Sequence, residues 1–410
     1  MNILIITQMY PQPDDVGENK VTRTVEYFAK EWVNSGNRVI VIHCSSKFPA
    51  LLYLLPKPIK DKYAYKSSNI IPSFSSRKSI HRNEYGIDIY RIPMFKLLPG
   101  RAFSEAKIAK TGKKILEILT NNSFVPDVVT GHFANPSLEI VSILGSHFHC
   151  KTSIVFHGDC NKTTIDKYRI KKTIPSIGAI GARSIYEARQ IQGLLGLSEM
   201  PFICYSGVPD CIINNASRTC NKHNYLNGIK YLYVGSLISR KHLDTVIKAF
   251  SRVKESSDTL TIVGGGPEEN SLRNLSYELG LKNQVKFVGR VDRNRVFDYM
   301  KESHVFTLVS DNEVFGMVYF EAMLQGCLTI ASQNGGFDGI IIDGDNGFIC
   351  QPGDLDSLVD TYRRIKGYSI KERNTIGNNA IKLAAQFSEK DVANRYLEEI
   401  LKRNGENRHV

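Results

Sequence analysis

Short apolar runs recur along this chain, and the first is followed by a loop and then by a helix pattern. Ile3 to Thr7 is almost continuously apolar, a loop spans Gln8 to Lys20, and Val21 to Asn34 has helical apolar spacing. Arg38 to His43 is the next apolar run. Unbroken apolar runs of this length are typical of parallel strands buried on both faces. The pattern predicts a strand–loop–helix–strand unit, which begins a doubly wound sheet.

The same pattern continues and then restarts, which predicts two domains. Further strands are expected at 127–130, 152–156, 179–180 and 202–203, and a second series at 229–234, 259–263, 285–288, 304–309 and 328–331. Helices are expected at 241–254, 268–279 and 316–324. We therefore predict an α/β protein with Rossmann-like domains at 1–208 and 228–387, joined by a polar linker at 209–227. Ligands of open parallel sheets bind beyond the carboxyl ends of the strands, so the cleft between two facing domains is the expected site.

Composition excludes several other classes of protein. With 42% hydrophobic and 23% charged residues, the 410-residue chain is neither disordered nor a coiled coil. Eight cysteines without Cys-x-x-Cys spacing argue against a disulfide framework and a structural zinc site. Without an apolar run of about 18 residues, no membrane span is expected. We expect a cytoplasmic protein with no bound metal and no cofactor.

Positive charge is concentrated in one stretch of the first domain. Residues 45–115 hold 15 basic and 4 acidic residues, interleaved with apolar segments at Phe48–Leu55 and Met94–Leu98. This mixture suits an anionic membrane surface, with lysines on headgroups and apolar side chains in the interface. A solvated surface with a few core leucines explains it equally well. Nucleic acid is not an expected partner, because no nucleic-acid-binding motif is present.

The segment from Glu313 to Glu321 carries the strongest functional signal. It follows a predicted strand and enters a helix, so Gly316, Met317 and Val318 would present free backbone amides to a diphosphate. The two flanking carboxylates would repel phosphate and are better suited to hydroxyl groups. Glu321 would bind a ribose and Glu313 a sugar. The alternative is that one is an ordinary helix-start glutamate, favoured by the helix dipole, and the other a surface glutamate one helical turn later.

Other candidates also follow predicted strands. Cations at Arg240 and Lys241 could neutralise a diphosphate, although either alone is more simply a solvated residue. His157, in His157-Gly158-Asp159, could contact a sugar or phosphate. Residues whose backbone could approach a ligand are Gly17, Gly264, Gly265, Arg290 and Val291.

Taken together, these motifs resemble the family-4 retaining glycosyltransferases, which have the GT-B fold of two facing Rossmann-like domains. The resemblance covers nearly the whole chain, and its most specific mark is Glu313-x7-Glu321 with the internal Phe315-Gly316. It implies that Glu321 binds the ribose, that Glu313 and the backbone of 315–318 bind the donor sugar, and that Lys241 binds the diphosphate. His157 would lie near the donor sugar. The resemblance also implies that the last helix, within 388–410, returns to the first domain.

One position departs from the family pattern. Many members have arginine after the glycine of the phosphate-binding loop, where this chain has Ser236. Arg240 would then supply the missing charge, or the site would hold the diphosphate with one cation fewer.

The implied activity is metal-independent, retaining transfer of a hexosyl or N-acetylhexosaminyl group from a nucleotide-diphosphate sugar. The acceptor would be a saccharide or a polyprenyl-diphosphate-linked saccharide of cell-surface polysaccharide, reached from the inner face of the membrane. Two alternatives stay open at this point: a nucleotide-sugar epimerase of the same fold, and a non-catalytic protein that binds nucleotide sugars.

Overall fold

The computed structural model describes residues 1–11, 23–56, 59, 77–216, 219–311, 313 and 316–406. The candidates Gly17 and Phe315 lie outside the described residues. The chain forms two compact units. The first contains residues 1–183, 187–204 and 389–410, and the second contains residues 184–186 and 205–388. Among the described helices, none combines the length and the apolar character that crossing a membrane requires.

The first unit is built on an eight-stranded sheet with the order β10-β9-β8-β7-β1-β2-β5-β4. All pairs are parallel except the β4–β5 hairpin at one edge. A separate pair joins β3 to β6. The strands are β1 Asn2–Thr7, β2 Arg38–His43, β3 Ser46–Lys47, β4 Ile80–Glu84, β5 Ile87–Arg91, β6 Met94–Phe95, β7 Val128–His132, β8 Lys151–Val155, β9 Ala179–Ala182 and β10 Phe202–Ile203.

The second unit is built on a six-stranded parallel sheet with the order β13-β12-β11-β14-β15-β16. Its strands are β11 Lys230–Val234, β12 Thr259–Val263, β13 Val285–Gly289, β14 Val305–Leu308, β15 Leu328–Ser332 and β16 Phe348–Cys350. The chain winds outwards from β11 in one direction and then from β14 in the other. This is the strand order of a Rossmann fold, with its topological switch point between β11 and β14. The first unit has the equivalent switch between β1 and β7.

Helices connect these strands and cover the sheets. They are α1 Thr24–Asn34, α2 Ala50–Leu54, α3 Glu105–Asn121, α4 Ser137–Phe148, α5 Ile170–Thr173, α6 Ile185–Leu195, α7 Asp210–Asn214, α8 Leu243–Val253, α9 Glu269–Glu278, α10 Arg293–Glu302, α11 Met317–Leu324, α12 Leu355–Gly367, α13 Ile370–Ala384 and α14 Glu389–Glu406.

Burial explains why the apolar runs form central strands. Ile3, Leu4, Ile5 and Ile6 are all fully buried, as expected for a strand with helices on both faces. Charged or polar residues instead alternate with apolar ones in β5, where Ile87 and Ile89 are buried and Asp88 is partly exposed.

The last helix, α14, packs within the first unit. The Trp32 indole donates a hydrogen bond of 2.9 Å to the carbonyl of Ala393. The ring of Tyr396 lies against Trp32, with 5.3 Å between ring centroids. Asn404 bonds the backbone of Thr152 in β8, accepting from its N–H at 3.0 Å and donating to its carbonyl at 3.1 Å. These contacts fix the helix across the sheet from α1 to β8.

The predicted α/β fold is confirmed, and both series of strands form where expected to within two residues. The β4–β5 hairpin was not anticipated. Residues 209–227, expected as a linker, include α7 and lie in the second unit. The helix expected from about Lys241 to Lys254 is confirmed, with its start two residues later. Residues 239–241 form a single 3-10 turn, His242 adopts a left-handed backbone conformation, and α8 starts only at Leu243.

Candidate active site

The switch point of the second unit brings Lys241 and Glu313 together. Lys241 follows β11 and Glu313 follows β14, and these two strands are neighbours in the sheet. The Lys241 ammonium is in direct contact with the Glu313 carboxylate. Only 10% of the Lys241 side chain and 14% of the Glu313 side chain are exposed. Two predicted site residues 72 positions apart in the chain therefore form one buried ion pair.

Burial and ion pairing shift the pKa of Lys241 in opposite directions. Burial lowers the pKa of Lys241 below its ordinary value, while the Glu313 carboxylate raises it. Arg240 lies further out, with its side chain 48% exposed and its guanidinium 3.9 Å from the Glu313 carboxylate. The neighbouring His242 imidazole pairs with Asp311 at 2.7 Å, which ties the two loops together. Lys241 is thus the buried cation of the site and Arg240 its exposed companion.

Glycine loops at the ends of β11, β12 and β13 pack backbone against backbone. Gly235 donates to the carbonyl of Val263 at 3.0 Å, and Gly264 donates to the carbonyl of Gly289 at 2.9 Å. A Cβ on Gly264 would lie 1.8 Å from the Gly235 carbonyl oxygen, and the φ of Gly264 is +144°. Only glycine fits there. The close packing leaves the loop backbone, rather than side chains, at this edge of the sheet.

Ser236 and Gly265 lie in the same group of loops. The carbonyl of Ser236 accepts a 3.1 Å hydrogen bond from the Tyr233 hydroxyl. Arg290 extends beside Gly265, with a 3.5 Å contact to its carbonyl. Val291 follows Arg290 in the loop after β13 and is partly exposed. These four residues are therefore available at the carboxyl edge of the second sheet.

The start of α11 is shaped by Gly316. Its φ of +71° places it in the left-handed region, and a Cβ would lie 2.6 Å from the Tyr319 ring and 3.2 Å from Glu313. The Tyr319 hydroxyl in turn donates to the carbonyl of Leu308 at the end of β14, at 2.6 Å. The helix start is thereby held against the strand end. The amides of Met317 and Val318, which lack intrahelical acceptors, begin the helix next to the Lys241–Glu313 pair.

Glu321, one turn further along α11, is also ion-paired. Its side chain is 9% exposed and contacts the guanidinium of Arg293, the first residue of α10. The alternative of a surface glutamate is therefore wrong for Glu321. Arg293 was not predicted from the sequence. The sequence feature that could have identified Arg293 as a site residue is its position, four residues after the end of β13.

In the first unit, His157 heads a chain of hydrogen bonds. Its Nε2 lies 3.0 Å from Nδ1 of His132, whose Nε2 lies 3.4 Å from the Tyr396 hydroxyl. That hydroxyl is 2.5 Å from the Thr130 hydroxyl. The Phe133 ring stacks on His157 with 4.1 Å between centroids. The imidazole is thus held on its edge by His132 and on its face by Phe133.

Both histidines are neutral near pH 7. Burial lowers the pKa of His132 to about 3, and the Arg183 cation adds to the effect. Burial, with Arg183 and His132, also holds the pKa of His157 well below its usual value. His157 therefore acts as a hydrogen-bonding group rather than as a cation.

The turn after His157 is fixed by two carboxylates. Asp159 accepts hydrogen bonds from the backbone N–H groups of His157, at 2.9 Å, and of Ala134. Glu187 accepts from the N–H of Gly158 at 2.5 Å, and burial raises the pKa of Glu187 to about 7. Asp159 is thus occupied in positioning His157.

Comparisons with known proteins show which sequences and folds this chain is similar to. Residues 221–383 match the family model described as glycosyl transferases group 1. An uncharacterized glycosyltransferase of Methanocaldococcus jannaschii is 24% identical over 76% of this chain and 84% of its own length. The lipopolysaccharide core biosynthesis glycosyltransferase LpsD of Rhizobium meliloti is 31% identical, over 40% of this chain and 47% of its own. Anabaena HepE, solved in complex with UDP, superposes with a TM-score of 0.67 at 17% identity, covering 98% of this chain and 100% of that one.

The fold is thus one of two Rossmann-like units, and the Lys241–Glu313 pair lies at the switch point of the second sheet. The family match falls on the second unit, and together with the relatives it supports a glycosyltransferase of the GT-B fold. The match to LpsD spans about half of that protein's length.

Proposed function

We propose that this protein is a retaining glycosyltransferase that moves a sugar from a nucleotide-diphosphate sugar to a saccharide or lipid-linked saccharide. The observation that carries the proposal is the buried Lys241–Glu313 pair beside the backbone N–H groups at the start of α11, at the switch point of the second sheet. A diphosphate placed at this point meets one buried cation and a helix N-terminus, both of which stabilise negative charge.

The donor roles follow from the chemistry of each group. Glu321, oriented by Arg293, accepts hydrogen bonds from the ribose hydroxyls, while Glu313 accepts them from the donor sugar. The loops at Gly264–Gly265 and Arg290–Val291 give backbone contacts to the nucleoside. HepE, whose fold this chain shares, holds UDP in one crystal and UDP-glucose in another. These complexes support a nucleotide-sugar donor here.

In the proposed reaction, the acceptor oxygen bonds to the anomeric carbon on the face from which the diphosphate departs. The bond from that carbon to the diphosphate oxygen breaks, and the departing phosphate takes the acceptor's hydroxyl proton. Charge develops on the phosphate, where Lys241 and the amides of Met317 and Val318 stabilise it. His157 donates or accepts a hydrogen bond at the donor sugar. The reaction needs no metal, so activity should survive EDTA.

We also propose that the first unit meets its acceptor at an anionic membrane. Leu51 and Leu54 on α2 are 74% and 77% exposed, and Leu97 is 61% exposed. Lys107 contacts the Phe95 backbone at 3.0 Å within the same basic stretch. Exposed leucines beside lysines suit a headgroup interface. Co-sedimentation with vesicles containing anionic lipid tests this, and a double substitution of Leu51 and Leu54 to serine should weaken it. Equal binding to neutral vesicles would contradict it.

The activity itself is tested with labelled nucleotide sugars, with and without membrane lipid extract. Acceptor-dependent release of nucleotide, with retained configuration in the product by NMR, is expected. An altered free donor would instead indicate an epimerase, and binding without turnover a non-catalytic protein. Neither alternative is favoured by any of the relatives described above.

A further inference from the structure

Among the residues that the structure describes, Lys96 of the first unit is a buried lysine without an acidic partner. It follows β6, is 5% exposed, and holds its ammonium 4.1 Å from the centroid of the Phe103 ring. Lysines this buried are normally paired, because an isolated charge is costly to desolvate. Among the described residues, the charge that acts on Lys96 is that of another cation, Lys167. Burial, reinforced by Lys167, lowers the pKa of Lys96 to about 8.

The aromatic surface beneath this ammonium is rigidly held. Phe103 is 1% exposed. Its backbone N–H donates to Oδ1 of Asn135 at 3.3 Å, and its backbone carbonyl accepts from the Arg169 guanidinium at 2.8 Å. Arg169 is itself fixed by Glu139 at 2.7 Å. These bonds hold Phe103 from both sides. The position of Lys96 is therefore a property of the fold rather than of a mobile surface side chain.

Asn135 supplies a second unused donor. It is 4% exposed, and within the described part of the chain its side-chain N–H₂ has no hydrogen-bond acceptor. A buried amide left in this way normally has a partner, because an unmade hydrogen bond there costs about 1–3 kcal/mol. Among the described residues, the Lys96 cation thus lacks a counter-charge and the Asn135 amide lacks an acceptor, and a single anion with acceptor oxygens could supply both.

The group lies at the functional edge of its sheet. Lys96 follows the strands β5 and β6, and Asn135 follows β7 by three residues. Asp159, which positions His157, accepts a hydrogen bond from Ala134, the residue before Asn135. The turn that carries Asn135 is thus tied directly to the turn that carries His157.

We propose that Lys96 and Asn135 form a binding site for a phosphate group of the acceptor. A phosphate offers several strong acceptor oxygens. It also carries the negative charge that the described residues around Lys96 do not supply. That the phosphate belongs to an acceptor rests on the proposed transferase function. Anion binding at Lys96 and Asn135 does not depend on turnover. Its ligand is either a lipid-linked diphosphate or a phosphorylated soluble saccharide.

The first experiment measures anion binding without any reaction. Inorganic pyrophosphate is titrated into the wild type, K96M and K110M, with binding followed by calorimetry and thermal unfolding. Lys110 is an exposed lysine of α3 and serves as the matched control. Pyrophosphate bound at the donor site contributes equally to all three proteins. We expect K96M alone to lose one class of sites, with affinity at least tenfold weaker, and to gain less thermal stability from pyrophosphate.

N135D provides an independent variant, because it keeps the oxygen that accepts from Phe103 and replaces the donor by a repelling oxygen. Loss of the same class of sites is expected. Identical isotherms for the wild type, K96M and N135D would overturn the proposal, even if the protein proves to be an active transferase. Once a donor is known, KM for a polyprenyl-diphosphate saccharide and for a sugar phosphate is compared in K96M. The acceptor whose KM is higher for K96M than for the wild type is the one whose phosphate binds at Lys96.

Discussion

Replacing Lys241 by methionine removes a buried cation of the proposed diphosphate site while keeping most of the apolar stem of the side chain. The stem of Lys241 is packed, since the residue is 8% exposed, and methionine can fill much of that volume. The change therefore isolates the ammonium. It also leaves Glu313, whose side chain is 14% exposed, without its direct partner.

Two magnitudes follow. Loss of one preorganised contact to a developing charge costs about 3–4 kcal/mol in the transition state, so kcat should fall by roughly 10²–10³-fold. Breaking a buried ion pair from one side costs about 3–5 kcal/mol of folding free energy. Because both side chains retain some exposure, we expect the lower end of that range. The two costs are separable, because one is measured by turnover and the other by unfolding.

The assay is nucleotide release at saturating donor, with urea unfolding of the same preparations. R240M is the control, because Arg240 is half exposed and 3.9 Å from the carboxylate, and its kcat should change less than tenfold. The double variant K241M/E313Q should recover stability, because no unpaired carboxylate remains, without recovering kcat. A K241M protein whose kcat stays within threefold of wild type would refute the role assigned to Lys241.

Four further outcomes are expected. Y396F should lower kcat three- to tenfold with donor KM unchanged and cost about 1 kcal/mol of stability, because the hydroxyl that supports the histidine pair is lost; a shifted KM would contradict this. In urea unfolding, G264A should cost at least about 3 kcal/mol through its clash with backbone, whereas G280A, with positive φ but open space, should cost about 1 kcal/mol. R293M should raise donor KM about tenfold in initial-rate assays, with kcat nearly constant, while an unchanged KM would remove its positioning role. Finally, since the pKa of Lys96 is about 8 in the fold against 10.5 ordinarily, the unfolded chain binds more protons between these values. The unfolding free energy should therefore rise by about 3 kcal/mol from pH 8 to 10.5 relative to K96M.

The sheets could be predicted from the sequence because their strands are buried on both faces. Ile3–Ile6 and Val39–Ile42 are apolar without interruption, and each lies in a buried strand as expected. The edge hairpin β4–β5 was missed because its strands are half exposed. Ile80–Glu84, for example, consists mostly of polar residues, and its burial pattern gives no buried position. Local periodicity carries little information for such strands.

The sequence could predict which residues of the candidate site follow strands. It could not predict which of these residues contact one another. Lys241 and Glu313 meet because β11 and β14 are neighbours, and Glu321 meets Arg293 because α10 packs beside α11. Strand order decides which loops lie side by side, and periodicity does not reveal strand order. The His157–His132–Tyr396 chain depends on the docking of the last helix, more than 200 residues away in sequence.

The ion pair at the switch point also gives a reason for an acid to lie beside the proposed diphosphate site. Burial alone drives Lys241 towards its neutral form, which would be useless for holding an anion, and the Glu313 carboxylate opposes that shift. The acid therefore offsets part of the effect of burial on the pKa of Lys241 while the donor is absent. In the proposed function, a bound diphosphate would pair with the ammonium in place of Glu313, which would then accept hydrogen bonds from the sugar hydroxyls. On this reasoning E313Q should impair donor binding through the charge of Lys241 as well as through the sugar. Part of its loss should then be recovered as pH falls, because lower pH restores the ammonium without the carboxylate.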